Sequence, residues 1–467
     1  MNSKAMESAY ALLERSIMTY QGEPVGTVAA VASGDVAADN YHDCFVRDFI
    51  SSALVFLADD RPEIVRNFLL TVLQLRSQHQ RIHGHQLEPA VLPASFRVHR
   101  GRGAKAKEQI RADFGDHAIG RVAPVDAMMW WAVLLGIYCR HTGDRSLAAE
   151  PEVQRVLHGV LELTLREGFE VFPTLLVPDG SFMIDRRMGV YGHPLEIQAL
   201  FYGMLVSAID LLRDTSDVHE LLLLAAKRAN MLRNYLQLFY WLDHDRLNEI
   251  HRYRTEEFGS GSVNMLNIYP ESIPEWAVDW LPERGGYLVG NLGPGRMDFR
   301  FFALGNLLAI LFGITSSHEA QTIMRLYQER WDDLVGNMPA KLVYPAVTGK
   351  EWMFMTGSDP KNVAWSYHNG GNWPVLLWPF VAAAMKTGRG DLAQLALDVA
   401  DRSLPQADWP EYYDGRRGNL VGRRAHLNQV WSAAGYILGH KLAENEGLLD
   451  MFHAVDHPPA GGNETSV

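Results

Sequence analysis

The chain has 467 residues, 47% of them hydrophobic and 21% charged, with a formal net charge of -12 at pH 7. That composition supplies a large soluble core, and the acidic balance argues against nucleic acid, which requires a clustered basic surface. Two cysteines, Cys44 and Cys139, exclude a disulfide scaffold and read as buried free thiols, and no Cys/His spacing resembles a zinc site.

From the N-terminus, residues 3–20 read as an amphipathic helix carrying Glu7 and Glu14, without the apolar core of a signal peptide. Apolar spacing, caps and breakers then predict helices over 45–57, 61–78, 124–142, 151–166, 194–213, 217–241, 299–314, 316–334, 370–386, 390–404 and 426–444. The most apolar run, 299–315, contains Gly305, Asn306 and Gly313 and is bordered by Arg300 and His318, which suits a buried helix better than a membrane span. A cytoplasmic protein without membrane attachment is expected.

Counting 3–20, these helices form six consecutive pairs. Short turns at Asp59-Asp60 and Lys386 to Arg389 predict antiparallel hairpins. Long polar, Gly- and Trp-rich insertions separate the pairs at 79–123, 167–193, 242–298, 335–369 and 405–425. Excursions of that length in a compact domain are usually functional. Within them, VFPTLLV and SFMID flank Pro178-Asp179-Gly180 and predict a small β-hairpin over 171–184. No boundary, repeat or βαβ alternation is visible. The expected fold is all-α, a single (α/α)6 barrel of six inner and six outer helices over 1–467, with a small β-hairpin at the rim and 455–467 as a disordered tail. A helical-hairpin solenoid is the alternative, but its repeats should resemble one another and these do not.

Four loop stretches carry candidate chemistry. Ser181–Gln198 places Asp185 beside Arg186 and Arg187, then His193, Glu196 and Gln198 at a helix start. It reads either as a pocket wall or as a solvated turn. Residues 352–373 hold Trp352, Trp365, Tyr367, His368, Asn369, Asn372 and Trp373 around Gly370-Gly371, glycines that permit close backbone approach. Flat rings beside amides suit sugar recognition; Trp373, before Pro374, reads instead as a loop anchor. Glu411 in Trp409-Pro410-Glu411-Tyr412-Tyr413-Asp414-Gly415 is a carboxylate with a fixed, partly dry surrounding, suited to a general base or nucleophile. Residues 40–49 bring Tyr41, Arg47 and Asp48 into the second helix. Asp126 lies in a helix first turn, where dipole stabilisation is a sufficient explanation.

Two carboxylates are the minimal machinery for splitting a glycosidic bond, and Asp185 with Glu411 is the favoured pair. A general acid needs a raised pKa, which a neighbouring arginine opposes. If 183–187 is extended, Arg186 faces away from Asp185. No phosphate-binding loop, dinucleotide fingerprint, serine elbow or HExxH motif competes.

The blocks CFVRDF, DFGDHAIGRVAPVDAMMWW, SFMIDRRMGVYGHPLEIQALFY, YWLDHDRLNEIHRYRTEEFG, SYHNGGNWPVLLW and WPEYYDG resemble those of neutral/alkaline invertases of glycoside hydrolase family 100. So does the stretch NIYPESIPEWAVDWLPERGGYLVGNLGPGRMDFRFFALGN. The resemblance spans nearly the whole chain. It implies an (α/α)6 barrel hydrolysing sucrose to glucose and fructose in the cytosol, without metal or cofactor, often as a homo-oligomer. It places the general acid on Asp185 and the base on Glu411. By analogy with trehalase-like barrels it implies inversion at the glucosyl carbon, with carboxyls roughly 6.5–9.5 Å apart. Asp48, Gln198, Trp365, His368 and Asn369 are implied sugar contacts, and Tyr41, Asp126, Arg186, His193 and Gln429 complete the candidate substrate-binding set.

Departures from the family pattern are the missing N-terminal extension of plant members, Cys44 where Gln is common, and the run NLVGRRAHLNQVW after the base, with Arg423, Arg424, His426 and Asn428. Other readings are a different α/α-toroid sugar enzyme (an epimerase, an isomerase or another α-glucosidase) and an inactive carbohydrate-binding scaffold.

Overall fold

The computed structural model describes residues 3–31, 40–78, 81–82, 85–100, 107–115, 123–166, 172–177, 180–183, 188, 190–252, 268–293 and 296–452. The expected C-terminal tail at 455–467 lies outside them.

Each predicted helix has a counterpart: α1 (Ser3–Arg15), α2 (Val46–Ala58), α3 (Pro62–Gln74), α4 (Ala127–Thr142), α5 (Pro151–Thr164), α6 (Leu195–Leu211), α7 (His219–Tyr235), α8 (Ala303–Leu311), α9 (Ser317–Glu329), α10 (Leu377–Lys386), α11 (Gly390–Ser403) and α12 (Val430–Glu444). Local chemistry sets their ends. Pro62 and Pro151 open α3 and α5, where a missing N–H costs nothing. Ser316 and Glu319 form a reciprocal capping box on α9. Gly143 ends α4 at φ 71°, in the left-handed region that favours glycine. Asp60, at φ 55°, makes the tight turn between α2 and α3.

The even-numbered helices are apolar on nearly all sides, and every residue of α8 is buried. The odd-numbered helices alternate buried and exposed faces, as in α5, which buries Val153, Val156, Leu157, Val160, Leu161, Leu163 and Thr164. The apolar helices pack in a closed cycle: α2 on α4, α4 on α6, α6 on α8, α8 on α10, α10 on α12, and α12 back on α2. The amphipathic helices sit outside it, with α3 on α2 and α4, α7 on α6, and α11 on α10 and α12. Trp131 and Phe49 lie in one buried apolar cluster that runs through the helices. Cys44 and Cys139 are buried free thiols within it. Cys44 Sγ fills the space above Gly26, where an added Cβ would lie 2.6 Å from the sulfur.

The insertions contain β-structure that the helical reading missed. Residues Tyr287–Gly293 and Arg296–Phe302 form an antiparallel hairpin extended by His193–Pro194 on one side and Val343–Tyr344 on the other. Phe299 to Phe302 therefore belong to a strand and not to the start of α8. A run buried on both faces carries no alternation to separate strand from helix. The pairing expected between VFPTLLV and SFMID is absent among the described residues. Val177 bridges Gly192, and Gly180–Ser181 pairs in parallel with Ala123–Pro124. Similarly, 426–429 precede α12 as irregular chain, and 370–376 precede α10 as extended or 3-10 chain, because Pro374 lacks the N–H needed inside α10.

Candidate active site

An open pocket of about 700 Å³, its mouth included, lies at the N-terminal ends of α2, α10 and α12. Asn40, Tyr41, Phe45 and Asp48 enter from the α2 side. Tyr367, His368 and Trp373 come from the loop before α10, Glu411 and Gln429 from the chain leading into α12, and Trp431 from its first turn. Phe182 and Met183, ahead of α6, complete another wall.

Two backbone-to-backbone contacts hold these loops together. Asn372 and Tyr413 exchange N–H···O bonds of 3.0 and 2.8 Å, and Gly415 donates to the Trp365 carbonyl at 2.7 Å. A Cβ on Gly415 would stand 1.6 Å from the Gly370 carbonyl oxygen, so only glycine permits this approach. The Gly370-Gly371 pair thus brings the loop against a neighbouring loop. Trp365, Tyr367, Asp408, Trp409, Arg424 and Asn428 all hold positive φ around the pocket. Each such residue costs of order 1–3 kcal/mol unless its surroundings enforce it, and such strain gathers at functional sites.

Glu411 is 3% exposed, and its backbone is pinned where its N–H donates to the His426 carbonyl at 2.8 Å. Tyr41 Oη donates to Glu411 Oε1 at 2.7 Å, and Lys361 Nζ lies 3.5 Å from Oε2. Burial, then the Glu411 charge, pushes the Tyr41 phenol well up, so it stays a donor. The His426 ring lies against Tyr41, tilted by 31° with centroids 3.6 Å apart, and burial lowers its basicity although the Glu411 charge opposes this.

Asp48, in the first turn of α2, also faces the pocket. Burial pushes its carboxyl up to about 7; Arg47 opposes the shift, and Glu411 and Asp126 add to it. Asp126 is buried behind it, paired with Arg47 at 2.9 Å, its carboxyl also raised by burial against the pull of Arg47. Because folded Asp48 holds its proton more tightly than an unfolded aspartate, the stability it contributes is lost as pH rises from about 4 through about 7. Asp48→Asn should therefore stabilise the protein at pH 8, by a few kcal/mol at most at roughly 1.4 kcal/mol for each tenfold difference in proton affinity, and change it little at pH 4. Thermal melts across that range test this; an equal effect at both ends would refute it.

The sequence profile of one family, alkaline and neutral invertase, matches residues 9–446. The chain belongs to the alkaline and neutral invertase family. Invertases hydrolyse sucrose, so the chain is a glycoside hydrolase of that class. It is 48% identical to a protein described as probable alkaline/neutral invertase D of Arabidopsis thaliana over 95% of this chain and 83% of that one. It is likewise 48% identical to cytosolic invertase 1 of Oryza sativa subsp. japonica, over 95% and 79%. Another similar invertase of Arabidopsis thaliana is described as mitochondrial (47%, covering 94% and 67%). Among solved structures, a mannosylglycerate hydrolase from Thermus thermophilus superposes with TM-score 0.55 at 13% identity, covering 93% of this chain and 99% of that one. A bacterial glucoamylase superposes with TM-score 0.56 at 11% identity, covering 96% and 56%. These two share the fold.

For this invertase-family chain, the pocket gathers Tyr41, Asp48, His368, Glu411 and Gln429 of the sequence candidates. Asp185 and Arg186 lie outside the described residues, and with them the expected carboxyl separation and the expected opposed directions of the two side chains. Two of the expected sugar contacts have their amides engaged by backbone. Gln198 is fully buried, with Oε1 accepting from Leu175 N at 2.9 Å and Nε2 donating to Leu175 O at 2.7 Å. Asn369 is equally buried, its amide bonded to Val347 N, Val347 O and Asn362 O. Both amides are consumed by backbone, which must be paired when buried.

Asp126, His193 and Trp365 are not among the pocket-lining residues. Asp126 serves Arg47, His193 sits in a short strand opposite Leu292, and Trp365 rests on Tyr344 with ring centroids 5.8 Å apart. Trp373, read as an anchor, both lines the pocket and stacks on Tyr412, centroids 5.6 Å apart. Sequence reading missed Lys361, Phe182 and Trp431, and named Tyr367 only as one ring of the stretch 352–373. Lys361 had one signal, a lone cation in Asp359-Pro360-Lys361-Asn362 within the aromatic–amide stretch 352–373.

Among the described residues, no three His, Cys, Asp or Glu side chains gather as metal ligands would, and no helix is long and apolar enough to cross a membrane.

Proposed function

We propose that the protein hydrolyses sucrose with inversion at the glucosyl carbon, Glu411 acting as general base and Asp185 as general acid. The observation that carries the reading is Glu411 itself: a buried carboxylate at the pocket wall with one oxygen held by Tyr41 and the other by Lys361. Glu411 takes a proton from a water that attacks the anomeric carbon on the face opposite the leaving group. Asp185 donates its proton to the fructosyl oxygen as the glucosyl C–O bond breaks. Phe182 and Met183, two positions before that carboxyl at the nearer, line the same pocket, which supports its placement there. Tyr41, Asp48, His368 and Gln429 supply sugar-hydroxyl contacts in this scheme. Asp48, with its carboxyl pushed up to about 7, is able to donate as well as accept near neutrality.

The scaffold of this chemistry is a single (α/α)6 barrel, a reading supported by the closed cycle of six apolar helices. The proposal includes a cytoplasmic location and homo-oligomeric assembly; fractionation and light scattering test these. Sucrose hydrolysis followed by NMR should release β-glucose first, with the α-anomer appearing only at the rate of mutarotation. Initial α-glucose would overturn inversion.

A further inference from the structure

We infer that Lys361 is the positioning residue of the base, its ammonium fixing the Glu411 carboxylate and setting the pH at which turnover begins. The inference rests on the reading of Glu411 as general base. Lys361 Nζ stands 3.5 Å from Glu411 Oε2 and 3.7 Å above the centroid of the Tyr367 ring. The ring holds the cation by its quadrupole and brings no anion to compete with Glu411. The Lys361 side chain is 15% exposed and that of Glu411 4%, so solvent screens the pair weakly.

The backbone beneath Lys361 is built to stay in place. Asp359 accepts from Lys361 N at 2.9 Å with Oδ1 and from Asn362 Nδ2 at 3.1 Å with Oδ2. Asn362, fully buried, accepts at its carbonyl from Trp352 Nε1 at 2.6 Å and at Oδ1 from His368 N at 3.0 Å. One short 3-10 turn, Pro360–Asn362, thus ties the cation to the pocket loop that carries His368.

The groups around Glu411 show why a cation is needed. Tyr41 and Asp48 face it from the α2 side, Tyr367 and His368 from the loop before α10, Tyr412 from its own loop, and His426 from the chain before α12. Arg47, on α2, is engaged by Asp126. Burial pushes the Tyr412 phenol up to about 12, which keeps it neutral, and lowers the basicity of His426, so neither ring carries a charge at neutral pH. Lys361 supplies that cation from 3.5 Å. Tyr41 on one oxygen and Lys361 on the other also fix the plane in which Glu411 meets its water.

The test is the pH profile of sucrose hydrolysis for Lys361→Met, Lys361→Arg and Glu411→Gln, each checked for native circular dichroism. Lys361→Met should move the acid limb of kcat/KM upward by about one pH unit. It should lose about tenfold in kcat at pH 6, recover most of it at pH 9, and change KM by less than about threefold. Lys361→Arg should keep the acid limb near that of the parent. A folded Lys361→Met with an unmoved limb overturns the inference, as does a limb that the arginine does not restore. Should Lys361→Met fail to fold, Lys361→Gln is read against Lys361→Arg by the same criterion. An active Glu411→Gln would sink the base assignment itself; an inactive one beside an unmoved limb sinks only the role of Lys361.

Discussion

Glu411→Gln is expected to lower kcat for sucrose by about 10³-fold or more, toward the upper part of the 10²–10⁴ range of general base catalysis, with KM changed by less than about threefold. The amide keeps the shape of the carboxylate and still accepts from Tyr41 Oη, so the pocket geometry survives. What is lost is the ability to take a proton from water. Azide, a nucleophile that needs no deprotonation, should restore part of the turnover by forming a glucosyl azide. Near-parental hydrolysis by a folded Glu411→Gln would remove the residue from the mechanism. Loss of activity through KM alone would make it a binding group.

Asp185→Asn has the second large expected effect, and its signature is different. Sucrose hydrolysis should fall by about 10²–10⁴-fold, because the fructosyl oxygen leaves poorly without a proton. α-Glucosyl fluoride, whose leaving group needs no acid, should keep turnover within about tenfold of the parent. Azide should not rescue this variant. Equal losses on both substrates would assign Asp185 to binding or folding, and unchanged sucrose turnover would remove it altogether. The two variants crossed against azide and the fluoride therefore separate base from acid without reference to either residue's coordinates.

Helix positions were the most legible feature of the chain. Residues of the ring helices such as Trp131, Leu205 and Leu307 are apolar because both sides are covered, and those of the outer helices recur at helical spacing because one side is wet. Strand and helix become confused where that contrast fails. Phe299, Phe301 and Phe302 are buried on both faces of a sheet, so their sequence reads as more helix. Glu411 stands out in the sequence because a carboxylate behind a proline and between aromatics has few structural reasons to be there.

Amides were the least legible. Gln198, Asn369 and Asn306 carry the same donor and acceptor that a sugar contact requires, yet each spends them on backbone: Leu175 for the first, Val347 and Asn362 for the second, Leu288 and Phe302 for the third. A one-dimensional pattern contains residue types but not the unpaired carbonyls that will meet them.

The sequence by itself determined the helical architecture, the buried thiols and the loop carboxylates, since each follows from local periodicity or from a residue's own chemistry. Only the tertiary structure decided which loops share a pocket, which amides are already consumed, and that Lys361 stands beside Glu411. Those facts depend on contacts between chain segments up to hundreds of residues apart. Tyr41 and Glu411, 370 positions apart in the chain, share a hydrogen bond because packing of α12 against α2 closes the cycle of apolar helices and brings their loops together.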